Sequence, residues 1–193
     1  MTTGLRWRII ALQGVLVIVL AFITGFAFWG ASFAQSTVHD QLASQHIVFP
    51  PAAVLAVHEY DNNAEIRNFA GQQVVNGDQA RVYANDFLGV HLNAMKPYNT
   101  YAAASTALQT LPKTDPSYTT ISNLRQTLFM GTMLRTSLLN AYGWWTVGVY
   151  AFYAAIGLLI ATIAIFGALL FELAQLRKPA LDKVVVTKPA YAN

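Results

Sequence analysis

Two stretches of the 193-residue chain, residues 9–34 and 136–171, contain no Asp, Glu, Lys, Arg or His. Both are rich in Ile, Leu, Val, Phe and Ala. A helix needs about 20 such residues to cross a bilayer. The first run, of 26 residues, is near that length. The second, of 36 residues, exceeds it, so part of it is expected to stand outside the hydrocarbon or to tilt. The chain as a whole is 55% hydrophobic and 11% charged. Soluble domains average about 45–50% and about 25%. This composition excludes a disordered chain, which needs low hydrophobicity and high charge, and it speaks against an ordinary soluble enzyme. There is no cysteine, hence no disulfide, thiolate metal site or cysteine nucleophile.

Charge sets the expected orientation. Arg6 and Arg8 precede the first run, and Arg177, Lys178, Lys183 and Lys188 follow the second, giving the two ends a net +4. The segment between the runs sums to −1. Basic flanks remain on the cytoplasmic side, so both termini are expected in the cytoplasm of a bacterial plasma-membrane protein. The +3 total is then a topology signal rather than a nucleic-acid footprint. Tryptophan and tyrosine gather at membrane interfaces. Trp7 and Trp29 bracket the first run, and Tyr142, Trp144 and Trp145 stand at the outer end of the second. The first run is longer than the apolar core of a cleaved signal peptide, about 7–15 residues, and reads as a retained anchor.

The segment between the runs reads as helical. Residues 35–45 are polar enough to extend the first helix outward, and 47–51 are extended ahead of Pro50 and Pro51. Turns are expected at 61–63 and 76–77, with Asp78 capping a helix that carries Ala80, Tyr83, Phe87, Leu88, His91, Leu92 and Met95 and ends at Pro97. Thr100 caps a short helix to Leu108. From Pro116 no breaker occurs until Pro179, so one helix is expected to rise outside the membrane and continue into the second span.

The expected fold is therefore an all-α membrane protein with two transmembrane helices and a small, mainly helical extracytoplasmic cap, the second helix extending beyond the bilayer. Its parts are a cytoplasmic N-terminus (1–8), a first span (9–34), the cap (35–141), a second span (142–173) and a basic cytoplasmic tail (174–193), expected to be flexible.

Catalytic constellations are sparse. His39, His46, His58 and His91, with Glu59, Asp40 or Asp86, permit a two-His-one-carboxylate iron site on paper, but no spacing selects one. His91 and Met95 are four apart, which places an imidazole and a thioether on one helical face, a pair suited to copper(I). No nucleophile elbow, Walker loop or dinucleotide fingerprint is present. The spans hold no ionisable residue, which argues against a pump or channel. Ala21/Gly25, Gly157/Ala161 and Ala164/Ala168 have the small-xxx-small spacing of close helix contacts. Arg135, the last charge before the second run, is expected to pair with an acid such as Asp86 or with a lipid phosphate.

The stretch from Phe49 to Phe171 resembles a family of small actinobacterial membrane proteins that carry the label aromatic ring-opening dioxygenase. The resemblance rests on Gly71, Val75-Asn-Gly-Asp-Gln-Ala80, Tyr83-Ala84, His91-Leu92, Thr100-Tyr101-Ala102, Leu128-Phe129-Met130-Gly131, Leu134-Arg135 and Leu138-Leu139-Asn140-Ala141-Tyr142-Gly143-Trp144-Trp145. Asn99 stands where the family has glycine. The resemblance implies two spans and an outer helical cap, and no established activity.

The expectation is a non-catalytic accessory subunit without a cofactor, partnered by other integral membrane subunits of a respiratory or monooxygenase complex and by the lipid bilayer. Trp7, Trp29, Arg135, Tyr142, Trp144 and Trp145 form its membrane anchor and interface. The alternatives are copper handling by His91 and Met95, and self-assembly as a homo-oligomer.

Overall fold

A computed structural model of the chain describes residues 3–56 and 64–186, with side chains described at 4–56 and 64–176. The expected turn at 61–63, as well as His58 and Glu59, lie outside the described residues. In order, the helices are α1 (Thr3–Ala43), α2 (Ala52–Leu55), α3 (Ala64–Asn68), α4 (Gly77–Val82), a π-helical segment (Tyr83–Leu88), α5 (Gly89–Ala94), α6 (Tyr101–Thr110) and α7 (Tyr118–Val186). Among the described residues the protein is all-helical, apart from one antiparallel bridge between Val48 and Gln73. Two helices, α1 and α7, are long and apolar enough to cross a membrane, each with an 18-residue window of mean hydropathy 2.6. The chain divides into two compact units, Met1–Ala31 with Tyr150–Asn193, and Ser32–Val149.

The first unit contains the apolar stretches of α1 and α7. Only 6% of either apolar window is buried, whereas a soluble protein's core helix would be mostly covered. Ile10 is buried near the start of α1, and otherwise what is buried is small or slim: Thr24 and Ala31 on α1, Ala155 and Thr162 on α7. Each pair is seven residues apart, the repeat that keeps one seam facing a neighbouring helix. Small residues let helix backbones approach closely. Both threonines hide their hydroxyls, Thr24 donating to the Leu20 carbonyl and Thr162 to the Leu158 carbonyl, each at 2.7 Å. Phe28 meets Phe152 edge-on at 5.7 Å.

The second unit has two apolar clusters. One gathers Val38 and Leu42 of α1, Phe49, Leu55, Ile66, Val74, Val82 and Leu138. Phe49 anchors it, stacked on Phe69 at 5.5 Å and edge-on to Tyr83 at 5.2 Å. The other gathers Leu92, Ala104, Leu108, Ile121 and Leu128. The extended stretch near Phe49 is tied down by Phe49 N–H to Gln72 (2.9 Å) and Val74 N–H to Ile47 (2.8 Å). Gly71 turns that connection at φ +70°, a left-handed conformation that favours glycine. The Ala43 carbonyl at the end of α1 accepts from His46 N–H at 3.2 Å and Gln73 Nε2 at 2.7 Å.

The continuous run α4–π–α5 lies antiparallel along α7. A ladder of contacts joins them: Gly77 on Trp145, Arg81 over the Tyr142 ring, Asn85 on Arg135, and Leu92 on Gly131. At both ends of the ladder a glycine permits the approach. A Cβ at Gly77 would collide with the Trp145 side chain, and one at Gly131 would lie 2.6 Å from Leu92 Cδ2.

Three local expectations are corrected. The cap of α4 is Asn76, not Asp78: Asn76 Oδ1 accepts from Gln79 N–H at 2.9 Å, while Gln79 Oε1 accepts from Val75 N–H at 2.8 Å. Asp78 is an exposed first-turn residue, where its charge suits the helix dipole. Helix α7 begins at Tyr118, because Asp115 holds Ser117 through both N–H and Oγ and leaves Pro116 in the preceding turn. At its other end α7 runs through Pro179 to Val186. A proline removes one ladder bond, and the surrounding Leu and Ala residues favour helix strongly enough to carry it across.

Candidate functional site

The residues singled out from the sequence fall into separate places. Helix α5 ends at Ala94, and Met95 is already extended (φ −62°, ψ 135°), so His91 and Met95 do not share a regular helical face. Met95 packs against the cluster of Leu92 and Leu108. His91 is exposed, its Nδ1 3.2 Å from the Phe87 carbonyl and its ring 4.6 Å from the Phe87 ring. Among the described residues no group of three or more His, Asp or Glu side chains is placed to hold a metal ion.

Arg135 is half-buried on the inner face of α7. Its Nη2 donates to Asn85 Oδ1 at 2.9 Å rather than to the expected Asp86. The wider π turn at Tyr83–Leu88 accounts for the difference. It carries Asn85 and the bare backbone of Gly89 to α7, with the guanidinium 3.7 Å from a Cβ built at Gly89. Asp86 instead adds to the negative surroundings of Arg81. Nε of Arg135 is buried with no hydrogen-bond partner. Arg81 pairs with Glu65 and lies 5.8 Å from the centre of the Tyr142 ring. The Glu65 hydrogen bond holds the Arg81 guanidinium above its usual range. Burial pushes the Tyr83 hydroxyl up.

The aromatic collar is split. Trp145 is half-buried and pressed on Gly77, whereas Trp144 is 58% exposed. Tyr142 is half-buried beneath Arg81. Trp7 and Trp29 are both exposed, with Trp29 against Phe26 at 5.5 Å.

Two features of the second unit escaped the sequence reading. One is an open cavity of about 370 Å³ lined by Ser32, Gln35, Ser36, His39, Asp40 and Trp145. Five of these residues follow helical spacing along α1, a signal visible in the sequence; Trp145 joins them only through the fold. The other is an exposed apolar strip on α7, Phe129, Met130 and Met133, continued by Tyr101 of α6, whose ring lies 5.8 Å from that of Phe129. No protein-family model, curated protein or solved structure matches the chain.

Proposed function

We propose that the protein is a non-catalytic accessory subunit of a larger bacterial plasma-membrane assembly, of the respiratory or membrane-monooxygenase type. In this reading α1 and α7 each cross the bilayer once, both termini are cytoplasmic, and residues 35–141 form an extracytoplasmic helical cap. Helix α7 then extends beyond the bilayer to support that cap, and the resemblance to the actinobacterial two-span family belongs to the same reading.

The observation that carries it is the apolar strip on α7. Phe129, Met130 and Met133 are 46%, 55% and 53% exposed. Trp144, with its exposed indole, marks the outer interface in this topology. Met133 precedes it by a rise of about 16 Å along the helix. The strip therefore stands off the hydrocarbon layer, where lipid does not cover it. A contiguous apolar patch exposed to water marks a protein contact. A flat strip without nucleophile, metal cluster or enclosed cavity suits docking rather than chemistry.

The test is to isolate the tagged protein from its native membrane in mild detergent and to identify what copurifies, and in what ratio. A fixed set of large membrane subunits, lost when Met130 and Met133 are both changed to Ser, is expected. Recovery of the chain alone, or only with copies of itself, overturns the accessory role.

A further inference from the structure

Helix α1 changes character at its end. Residues 14–31 are apolar apart from Thr24, but Ser32, Gln35, Ser36, His39 and Asp40 recur at i, i+3, i+4, i+7 and i+8 and form one polar face. That face lines a cavity whose remaining wall is Trp145. The indole does not drift, because its Cβ and Cγ are pressed against the backbone at Gly77. Val38 and Leu42 hold the same stretch of α1 in the main apolar cluster, so both walls are fixed by packing.

The polar side chains lining this open depression face solvent, and several have no partner among the described residues. Among the described residues, Asp40 has no cationic partner, and the Gln35 and His39 side chains have no hydrogen-bond partner. Ser36 Oγ gives its proton to the Phe33 carbonyl at 3.3 Å, which leaves its lone pairs facing outward. A carboxylate, an amide oxygen and a hydroxyl lone pair beside an indole match one chemistry. The carboxylate supplies the counter-charge, and an aromatic face attracts a cation electrostatically. The hydroxyl and amide oxygens accept N–H bonds.

We propose that this cavity binds a primary ammonium group, of the kind carried by a phosphoethanolamine head group. The three N–H donors of a primary ammonium fit Asp40, Ser36 and Gln35, and its charge lies against Trp145. A quaternary ammonium keeps the charge but has no N–H to donate, so it satisfies Asp40 and Trp145 alone. The site therefore favours ethanolamine over choline, and both over an uncharged glycerol head group. The ammonium can arrive on a lipid or on a free solute.

The test uses the full chain in mild detergent, with Trp7, Trp29 and Trp144 changed to Phe so that Trp145 is the sole indole reporter. Glycerophosphoethanolamine, glycerophosphocholine and glycerophosphoglycerol are titrated while Trp145 emission is followed. The same protein is then placed in vesicles of phosphatidylglycerol with and without phosphatidylethanolamine. A saturable change with the ethanolamine compound is expected, at least tenfold weaker with choline and at least tenfold weaker in Asp40→Asn. A response to the soluble compound points to a free solute, and a response only in ethanolamine vesicles points to the lipid; either supports the site. Asp40 is exposed and unpartnered, so Asp40→Asn leaves the fold intact. Equal responses to ethanolamine and glycerol head groups, no response to any, or an unchanged response in Asp40→Asn overturns the proposal.

Discussion

At the scale of single residues, two of the contacts that hold the α4–π–α5 run on α7 each make a distinct prediction. Gly77 has no room for a side chain, because Trp145 occupies the place where its Cβ would stand. Gly77→Ala is ordinarily favourable in a helix. Here it overpacks a fixed contact, so a loss of about 1–3 kcal/mol is expected. Thermal unfolding in detergent reads the loss, and a red-shifted Trp145 emission locates it. Arg135 behaves differently, because its one hydrogen bond goes to a neutral partner while its Nε is buried without one. Asn85→Ala removes that bond and leaves a half-buried cation without a side-chain acceptor, which costs about 1–3 kcal/mol. Asn85→Asp supplies a carboxylate at the same place and is expected to retain or raise stability. If both Asn85 variants melt alike, the Arg135 contact contributes nothing.

At the scale of elements, helix starts divide into those the sequence announces and those it hides. Thr100 was legible as a cap, and its Oγ1 accepts from Ala103 N–H at 3.2 Å. The sequence places the cap of α4 two residues late, at Asp78 rather than Asn76, because Asp78 is a good cap in isolation. The better signal was Asn76-x-x-Gln79, a capping-box spacing in which both side chains reach backbone N–H groups. The π segment was not legible, since one wider turn barely disturbs the spacing of Tyr83, Phe87 and His91; yet it decides that Asn85 rather than Asp86 meets Arg135. The start of α7 makes a pH prediction. Hydrogen bonds from Ser117 hold the Asp115 carboxyl below its ordinary value of 3.8. A lowered folded-state value contributes stability that is present above pH 3.8 and lost as pH falls through the lowered midpoint. A carboxyl-carbon NMR titration is expected to place the Asp115 midpoint below 3.8 and to move it back up in Ser117→Ala.

At the scale of the whole molecule, the sequence makes two long apolar helices plain, because 26 and 36 consecutive residues without charge leave few other folds. It does not make the division of the aromatic pair plain, since Trp144 and Trp145 are neighbours in sequence and only the packing at Gly77 separates them. The proposed topology has a direct test, made clean by the absence of cysteine, because each introduced thiol is the only one in the chain. Gln109 lies exposed on α6 in the second unit, and Ile160 is 63% exposed on α7 in the first. Gly4, near the start of α1, has open space around its Cβ position. In intact cells a membrane-impermeant maleimide is expected to label Gln109→Cys and to spare both Gly4→Cys and Ile160→Cys. Permeabilising the inner membrane should expose Gly4→Cys while Ile160→Cys stays protected until detergent removes the lipid. Labelling of Gly4→Cys with Gln109→Cys protected would invert the orientation drawn from Arg6 and Arg8. Labelling of Ile160→Cys before detergent would remove the second span itself, because a thiol on an apolar helix face escapes the reagent only while lipid or another subunit covers it.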